Sequence, residues 1–339
     1  MTPMLDFGIR IIQILQSGSP AFDGLMKFIS FLGTVEFYLL LIPFVYWLID
    51  ARFGFRVLLV LVSMDFWGSA LKQLLRQPRP YWVGKVQSLS TETSYGIPST
   101  HSSDSLGIWG YLSFRLKMGW LWAFAAVLVF LIGLSRLYLG VHFPLDILVG
   151  WLIALVWIFL YVKLEERATP WLRQLSAARQ VGLGFGISLL MILGGLIVAY
   201  LITPYPDPAS WAAYATEARE ISKYFTLAGA TFGAVSGYVL MQKYARFLTR
   251  GPWWQKTGRY ALGMAVVLVI YFVLDMLFNL LARDASLAGY LLRYLRYGAV
   301  TLWAMFGAPW VFLKLKLADL ANGRTAADLD QKRSVPALN

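Results

Sequence analysis

The sequence predicts an all-α membrane protein, a polytopic bundle of about nine transmembrane helices. Hydrophobic residues make up 58% of the chain and charged residues only 14%, whereas soluble domains contain about 45–50% apolar residues. The apolar residues form runs of about 17 or more, long enough to cross about 30 Å of hydrocarbon. The predicted spans are 31–49, 55–73, 100–115, 119–136, 144–163, 181–203, 221–242, 259–282 and 289–313.

The charges between the spans predict their orientation. Cytoplasmic loops carry an excess of Lys and Arg, and residues 243–259 contain five basic residues and no acidic one. The pattern predicts an N-terminus outside and a C-terminus in the cytoplasm. The loop 72–98 breaks this pattern, because it lies outside in this scheme and yet holds four basic residues. Its charge therefore needs another explanation.

Composition also suggests how the chain is divided. Residues 4–30 are amphipathic and broken by "SGSP", which favours an interfacial position over a span. A polar stretch near 164–180 separates five spans with unusual polar residues from four blander ones. The predicted regions are an interfacial segment at 1–30, a membrane core at 31–163, a cytoplasmic connector at 164–180, a four-helix membrane extension at 181–313 and a cytoplasmic tail at 314–339.

Several classes of function are excluded by composition. The chain contains no cysteine, which removes disulfides, thiolate zinc sites and cysteine nucleophiles. Its formal charge of +12 could suggest nucleic-acid binding, but the basic residues lie at the ends of apolar runs. Membrane lipids, and no nucleic acid, are therefore the expected partners.

Polar side chains concentrate in three patches, "KQLLRQPRPYW", "YGIPSTHSSDS" and "SRLYLGVHFPLD". Each patch lies where a span of the first half begins or ends, and successive spans alternate in direction, so all three should meet at one membrane face. Pro98 with the following Ser and Thr predicts a helix start, and Pro144 predicts another. The chain has two histidines, and both lie in these patches.

The residue types in the patches suit phosphate chemistry. Lys72, Arg79 and Arg136 beside a helix N-terminus form a cradle for a phosphate dianion. Because a carboxylate can fix the tautomer of a neutral histidine, Asp146 can prepare His142 as a nucleophile. The second histidine, His101, is then the candidate general acid.

Metal catalysis is not expected. Two histidines and one aspartate do not form a dinuclear site, and the neighbouring cations would repel a metal ion. Asp104 is better explained as an acidic residue near a helix N-terminus than as a metal ligand. We therefore expect neither a metal nor another cofactor.

The three patches together resemble the signature of the type 2 phosphatidic acid phosphatase superfamily, which includes glucose-6-phosphatase and the vanadium haloperoxidases. The resemblance covers about residues 25–163. It implies that His142 becomes phosphohistidine, that Asp146 orients it and that His101 protonates the leaving group. It further implies that Ser99 and the Thr100 backbone bind phosphate together with the three cations. The family usually has glycine where this chain has Thr100.

The resemblance implies a metal-independent integral membrane phosphatase, and we expect it to act on an amphiphilic phosphate monoester or diphosphate. The loop charges predict that its site lies outside the cytoplasm. "PSTH" is similar to the sphingoid-base phosphate phosphatase branch and "RPYW" to the glucose-6-phosphatase branch. Two alternatives stay open at this point. One is a phosphatase of a soluble sugar phosphate, and the other is a lipid transporter or scramblase without hydrolysis.

The last four spans are less informative. The glycine-rich runs after residues 181 and 229 predict close helix packing rather than a nucleotide loop. Asp275 and Asn279 lie inside a predicted span, where Asp275 either has a function or pairs with Arg283 or a neighbouring helix. These spans could line a lipid entrance, form the surface of a homo-oligomer or stabilise the core.

Overall fold

The computed structural model describes residues 3–84, 86–283 and 285–321, and the regular elements within them are all helical. This confirms the predicted all-α class. The α-helices are α1 Pro3–Gln16, α2 Asp23–Phe31, α3 Val35–Leu48, α4 Ala51–Leu75, α5 Thr100–Leu116, α6 Gly119–Tyr138, α7 Pro144–Gln174, α8 Ala177–Ile202, α9 Ala212–Ala218, α10 Ser222–Tyr244, α11 Trp253–Leu281, α12 Leu287–Leu302 and α13 Ala308–Lys314, with a 3₁₀ turn at Pro80–Val83 and a π-helical turn at Trp303–Gly307.

Six helices of the described ranges are long and apolar enough to cross a membrane: α4, α6, α7, α8, α10 and α11. A seventh crossing results if α2 and α3, which meet at a bend of 48°, are taken as one broken span. These helices indicate an integral membrane protein, while the count of nine and the orientation stay predictions. Helix α5 has only 17 residues and buries a run of polar side chains, so it is less apolar than a typical span. Helix α7 extends to Gln174, and much of the predicted connector is therefore helical.

Helix α4 lies at the centre of the bundle, where it packs against α3, α5, α7, α8 and α10. Helix α10 in turn packs against α8 and α12. Glycines permit this close approach. A methyl group at Gly233 of α10 would collide with the carbonyl oxygen of Gly298 on α12, and Gly229 meets the backbone of Tyr294 in the same way. The predicted role of the second glycine-rich run in helix packing is confirmed.

Replacement of Gly233 by alanine should destabilise the bundle. The new methyl group would force α10 and α12 apart, and overpacking of this kind costs about 1–3 kcal/mol. Thermal unfolding in detergent should show a Tm several degrees lower. Gly182→Ala is the matched control, because nothing lies within 4 Å of that position and alanine is the better helix former. An equal loss of stability in both variants would contradict the packing role.

The C-terminal helices contact the loop that follows α4. The side-chain amide of Gln73 donates hydrogen bonds to the carbonyls of Ala218 (3.2 Å) and Glu220 (3.0 Å). Trp211, just before α9, packs on the loop residues Trp82 and Tyr95, with ring centroids 5.7 Å and 6.3 Å away. The extension thus bonds to the end of α4 and packs on the loop 76–99 of the core.

Asp275 of α11 forms an ion pair with Arg296 of α12. The Arg296 guanidinium also lies over the rings of Tyr271 and Tyr297, at 5.1 Å and 5.2 Å from their centroids. The partner of Asp275 is therefore a neighbouring helix, which was one of the predicted explanations, and not Arg283.

Candidate active site

Four helix ends meet at one end of the bundle and bring the three sequence patches together. Helix α4 ends at Leu75, and the next residue, Arg76, turns the chain sharply with a φ of 46°. The backbone N–H of Ser99, the N-cap of α5, donates to the carbonyl of Asp146 in the first turn of α7 (2.9 Å). The predicted helix starts at Thr100 and Pro144 are confirmed. All eight predicted site residues lie at this end.

His142 stands between a carboxylate and a guanidinium. Its Nδ1 lies 3.1 Å from Oδ2 of Asp146, which also accepts a hydrogen bond from the Phe143 N–H (2.9 Å). Its Nε2 lies 3.2 Å from Nη1 of Arg79. Since the carboxylate accepts and the guanidinium can only donate, the proton belongs on Nδ1 and the lone pair on Nε2. Burial, followed by the positive charges of Arg79 and Lys72, lowers the pKa of His142 well below its usual range.

The depressed pKa of His142 gives a prediction for its titration. We expect a midpoint below about 6.5, the usual value for histidine. Because the unfolded chain binds this proton and the folded chain does not, acid should destabilise the fold as the pH drops below that usual value. NMR of ¹⁵N-labelled histidine can follow the two imidazoles, and the His101→Gln variant assigns them. A midpoint at or above 6.5 would show that His142 is charged near neutral pH.

Lys72 and Arg79 fix the loop that surrounds His142. The Nζ of Lys72 donates to the carbonyls of Tyr95 (2.7 Å) and Gly96 (3.3 Å). Arg79 is completely buried, and it donates to the carbonyl of Val141 (2.9 Å) as well as to Ser94. Two of the four basic residues in 72–98 therefore have a structural explanation, since Lys72 and Arg79 are buried at the site.

Glu92 is a site residue that the sequence analysis missed. Its carboxylate forms an ion pair with Arg136 and lies 3.5 Å from Nη2 of Arg79. Burial alone would raise the pKa of Glu92, but the charges of Arg136 and Arg79 outweigh burial and hold it well below its usual range. The one feature of the sequence that could have pointed to Glu92 is that it is an acidic residue inside a basic loop. Arg136 also donates to the hydroxyl of Ser30 (2.6 Å), a second missed contact.

Ser99 and Thr100 form the start of α5. Ser99 is fully buried, and its hydroxyl accepts hydrogen bonds from the hydroxyl (3.0 Å) and the N–H (3.4 Å) of Ser102. Thr100 packs against α4 at Gly68, where an added methyl group would be 2.8 Å from Cγ2 of Thr100. The absence of a side chain at Gly68 therefore makes room for threonine at this position.

His101 lies on a cavity of about 510 Å³ beside these residues. The cavity is also lined by Arg136, Glu92 and two apolar residues, Phe31 at the end of α2 and Val35 at the start of α3. His142, whose side chain is 1% exposed, does not belong to the lining described. The structure thus places the two histidines at the same end of the bundle, with His101 open to the cavity and His142 buried.

The fold and this site define a helical membrane protein with a cation-surrounded histidine at one end of its bundle. Residues 53–170 match the model of the PAP2 superfamily. Residues 225–320 match a second model, the transmembrane extension of PAP2 superfamily phosphatases. The chain belongs to the PAP2 superfamily, as its three patches predicted.

Similar proteins carry names of lipid phosphatases. The chain is 24% identical over 253 residues to the Lipid phosphate phosphatase delta of Arabidopsis thaliana, a match that covers 70% of this chain and 56% of that protein. It is 34% identical over 143 residues to the Sphingosine-1-phosphate phosphatase 2 of Mus musculus, with 40% of each chain covered. The matched regions thus span about half or less of these relatives.

Among solved structures, a PAP2-type phosphatidylglycerolphosphate phosphatase from Bacillus subtilis is similar, with a TM-score of 0.44 and 25% identity. The match covers 49% of this chain and 88% of that one.

Proposed function

We propose that the protein is a membrane phosphatase that hydrolyses a lipid phosphate monoester or diphosphate through a phosphohistidine at His142. The observation that carries the proposal is the pair of contacts on that ring: Asp146 on Nδ1 and Arg79 at Nε2. A neutral imidazole held in this way presents its lone pair next to a cation suited to phosphate oxygens.

The reaction proceeds in two steps. Nε2 of His142 attacks phosphorus, the bond to the leaving oxygen breaks, and His101 donates a proton to that oxygen. Water then attacks phosphorus, gives a proton to the now neutral His101, and the P–N bond breaks, which returns free phosphate and a neutral His142. A bound phosphate dianion favours the protonated form of His101. Lys72, Arg79 and Arg136, with Ser99 and the N–H of Thr100, stabilise the charge that spreads over the equatorial oxygens.

Two features support a lipid substrate. The lining of the cavity at His101 includes the apolar residues Phe31 and Val35 beside its charged ones, so a headgroup can enter while its chain stays in hydrocarbon. Relatives from several organisms are named for lipid phosphates. The chemistry needs no metal, because the site's own cations neutralise the phosphate.

Phosphate release by the purified protein from a panel of substrates tests this proposal. The panel contains a sphingoid-base phosphate, phosphatidic acid, phosphatidylglycerol phosphate and a polyprenyl diphosphate, with a soluble sugar phosphate as the contrast. Turnover of at least one lipid should persist in excess chelator. Turnover of the sugar phosphate alone would favour the glucose-6-phosphatase-like alternative. Lipid movement without any hydrolysis would favour a transporter.

We also propose that the site faces away from the cytoplasm, as the loop charges predict. The chain contains no cysteine, so single cysteines can report the side. Ser88→Cys in the exposed site loop and Gln242→Cys near the end of α10 lie at opposite ends of the bundle. In intact cells an impermeant thiol reagent should label the first and spare the second, and the reverse result would invert the orientation.

A further inference from the structure

The connection between α8 and α10, residues 203–221, contacts the loop 76–99 at Tyr95. This connection lies between the residues that the two family models match, 53–170 and 225–320. Tyr95 is completely buried. Its side chain bonds to the connection and its backbone bonds to Lys72, so this one residue links the connection to the candidate active site.

The backbone of Tyr95 and Gly96 lies next to two groups of the proposed mechanism. Lys72 is buried, and its Nζ donates to the carbonyls of Tyr95 (2.7 Å) and Gly96 (3.3 Å). A lysine ammonium has three N–H donors, so these two bonds leave one of them for phosphate. Gly96 is also so close to Asp146 that an added methyl group would lie 3.2 Å from Oδ2. The position of this backbone therefore sets the direction of the third N–H of Lys72.

The side chain of Tyr95 is held by the connection. Its hydroxyl donates to both carboxylate oxygens of Asp207, at 3.1 Å and 3.0 Å. Nε of Arg219 lies 2.6 Å from Oδ2 of the same carboxylate, whose side chain is only 5% exposed. A hydrogen bond to an ionised group is stronger than one between neutral groups. The hydroxyl of Tyr95 is therefore fixed by a carboxylate that is itself fixed.

The hydroxyl and the ring of Tyr95 have separate contacts. Burial, followed by the hydrogen bond to Asp207, raises the pKa of Tyr95 to about 12, so the hydroxyl stays a donor at neutral pH. The ring packs edge-on against Trp82 and Trp211, with centroids 6.0 Å and 6.3 Å away. Loss of the hydroxyl alone would leave this packing in place, and the effect of the bond to Asp207 can therefore be measured by itself.

We propose that Tyr95 and Asp207 are positioning residues, and that the bond between them orients the third N–H of Lys72 toward the phosphate. The inference rests on the proposed phosphatase function and gives the connection 203–221 a part in it. Without this bond the backbone at Tyr95 is less restrained, and Lys72 follows it. The transition state needs the cation in one place more than the bound substrate does, so the loss falls mainly on the transition state.

Tyr95→Phe tests the inference, because it removes the hydroxyl and keeps the ring. On a lipid of the panel that the parent protein hydrolyses, kcat/KM should fall about five- to tenfold, the scale of one hydrogen bond to a charged group. The inhibition constant of vanadate, whose five-coordinate form resembles the transition state, should rise by the same factor. A residue that only stabilises the fold would lower the Tm and leave this constant unchanged.

Tyr46→Phe is the matched control. Tyr46 is equally buried, and its hydroxyl donates to the carbonyl of Met305 (2.8 Å), so this variant also loses a hydrogen bond between the core and the extension. Tyr46 lies about 16 Å along α3 from Val35 of the cavity. Both kinetic constants should therefore stay at the parent values in Tyr46→Phe, even if its Tm falls.

A double-mutant cycle tests whether the two positioning residues act through one bond. Asp207→Ala should lower kcat/KM at least as much as Tyr95→Phe does. Once Asp207 is alanine, the further change of Tyr95 to phenylalanine should have almost no effect, because the bond is already lost. All variants are measured well below their Tm.

The outcomes separate this inference from the function on which it rests. Parent-like constants in Tyr95→Phe, equal losses in Tyr95→Phe and Tyr46→Phe, or losses that multiply in the double variant overturn the inference and leave the phosphatase standing. A fall in kcat/KM without a rise in the inhibition constant of vanadate overturns it as well. If the parent protein hydrolyses no member of the panel, both proposals are wrong.

Discussion

Phosphate release should fall by about 10⁴-fold or more when His142 is replaced by alanine, the scale expected when a covalent nucleophile is removed. The substitution deletes the Nε2 lone pair next to Arg79. Brief incubation of the parent protein with ³²P-labelled substrate, followed by denaturation, should trap an acid-labile phosphoenzyme. His142→Ala should show none.

His101→Gln supplies the contrast for this experiment. It removes the proposed proton donor and keeps the nucleophile, so phosphoenzyme should still form from an ester whose leaving group needs no proton, such as a nitrophenyl phosphate. Labelling that survives in His142→Ala and disappears in His101→Gln would exchange the roles of the two histidines. Labelling in both variants would show that neither histidine is the nucleophile.

Asp146→Asn should have the second largest effect, a loss of about 10³–10⁴ in kcat, comparable to the loss of the orienting carboxylate in a serine protease triad. Oδ2 of Asp146 accepts from Nδ1 of His142 and from the Phe143 N–H at once. An amide has nearly the same shape, but it cannot stabilise the imidazolium. The substrate still meets the same cations, so KM should change little.

Steady-state kinetics on one lipid substrate measures kcat and KM separately and so tests this expectation. Asp319→Asn is the matched control, because Asp319 is exposed and its carbonyl bonds to Leu248 at the opposite end of the bundle. A large rise in KM with an unchanged kcat would mean that Asp146 acts in binding and does not prepare the nucleophile.

The three patches were sufficient to predict which residues lie together. Their helix starts follow from local signals, Pro98 with Ser99 and Pro144, which depend on few distant contacts. Asp146, in the first turn of α7, reaches His142 because His142 lies only two residues before the start of that helix. These parts of the site could be predicted because they are local in the chain.

Contacts that depend on the assembled bundle could not be predicted. Glu92 has no motif, and its role appears only when Arg79 and Arg136, which are far apart in the chain, meet around it. The pairing of Asp275 with Arg296 depends on the rotation of α11 against α12. The number of spans is equally difficult to predict from the sequence. Helix α5 is short, and the polar residues that it buries against other helices lower its mean hydropathy.

Residues 211–220 contact the core at Gln73 and at Tyr95, and these contacts affect how the family could diversify. Tyr95, whose carbonyl accepts a hydrogen bond from Lys72, packs against Trp211. Gln73, the neighbour of Lys72 in α4, bonds to Ala218. A chimera that exchanges the first 170 residues between two relatives would place one protein's loop against the other's Trp211. The core and the extension should therefore be inherited and engineered as a matched pair.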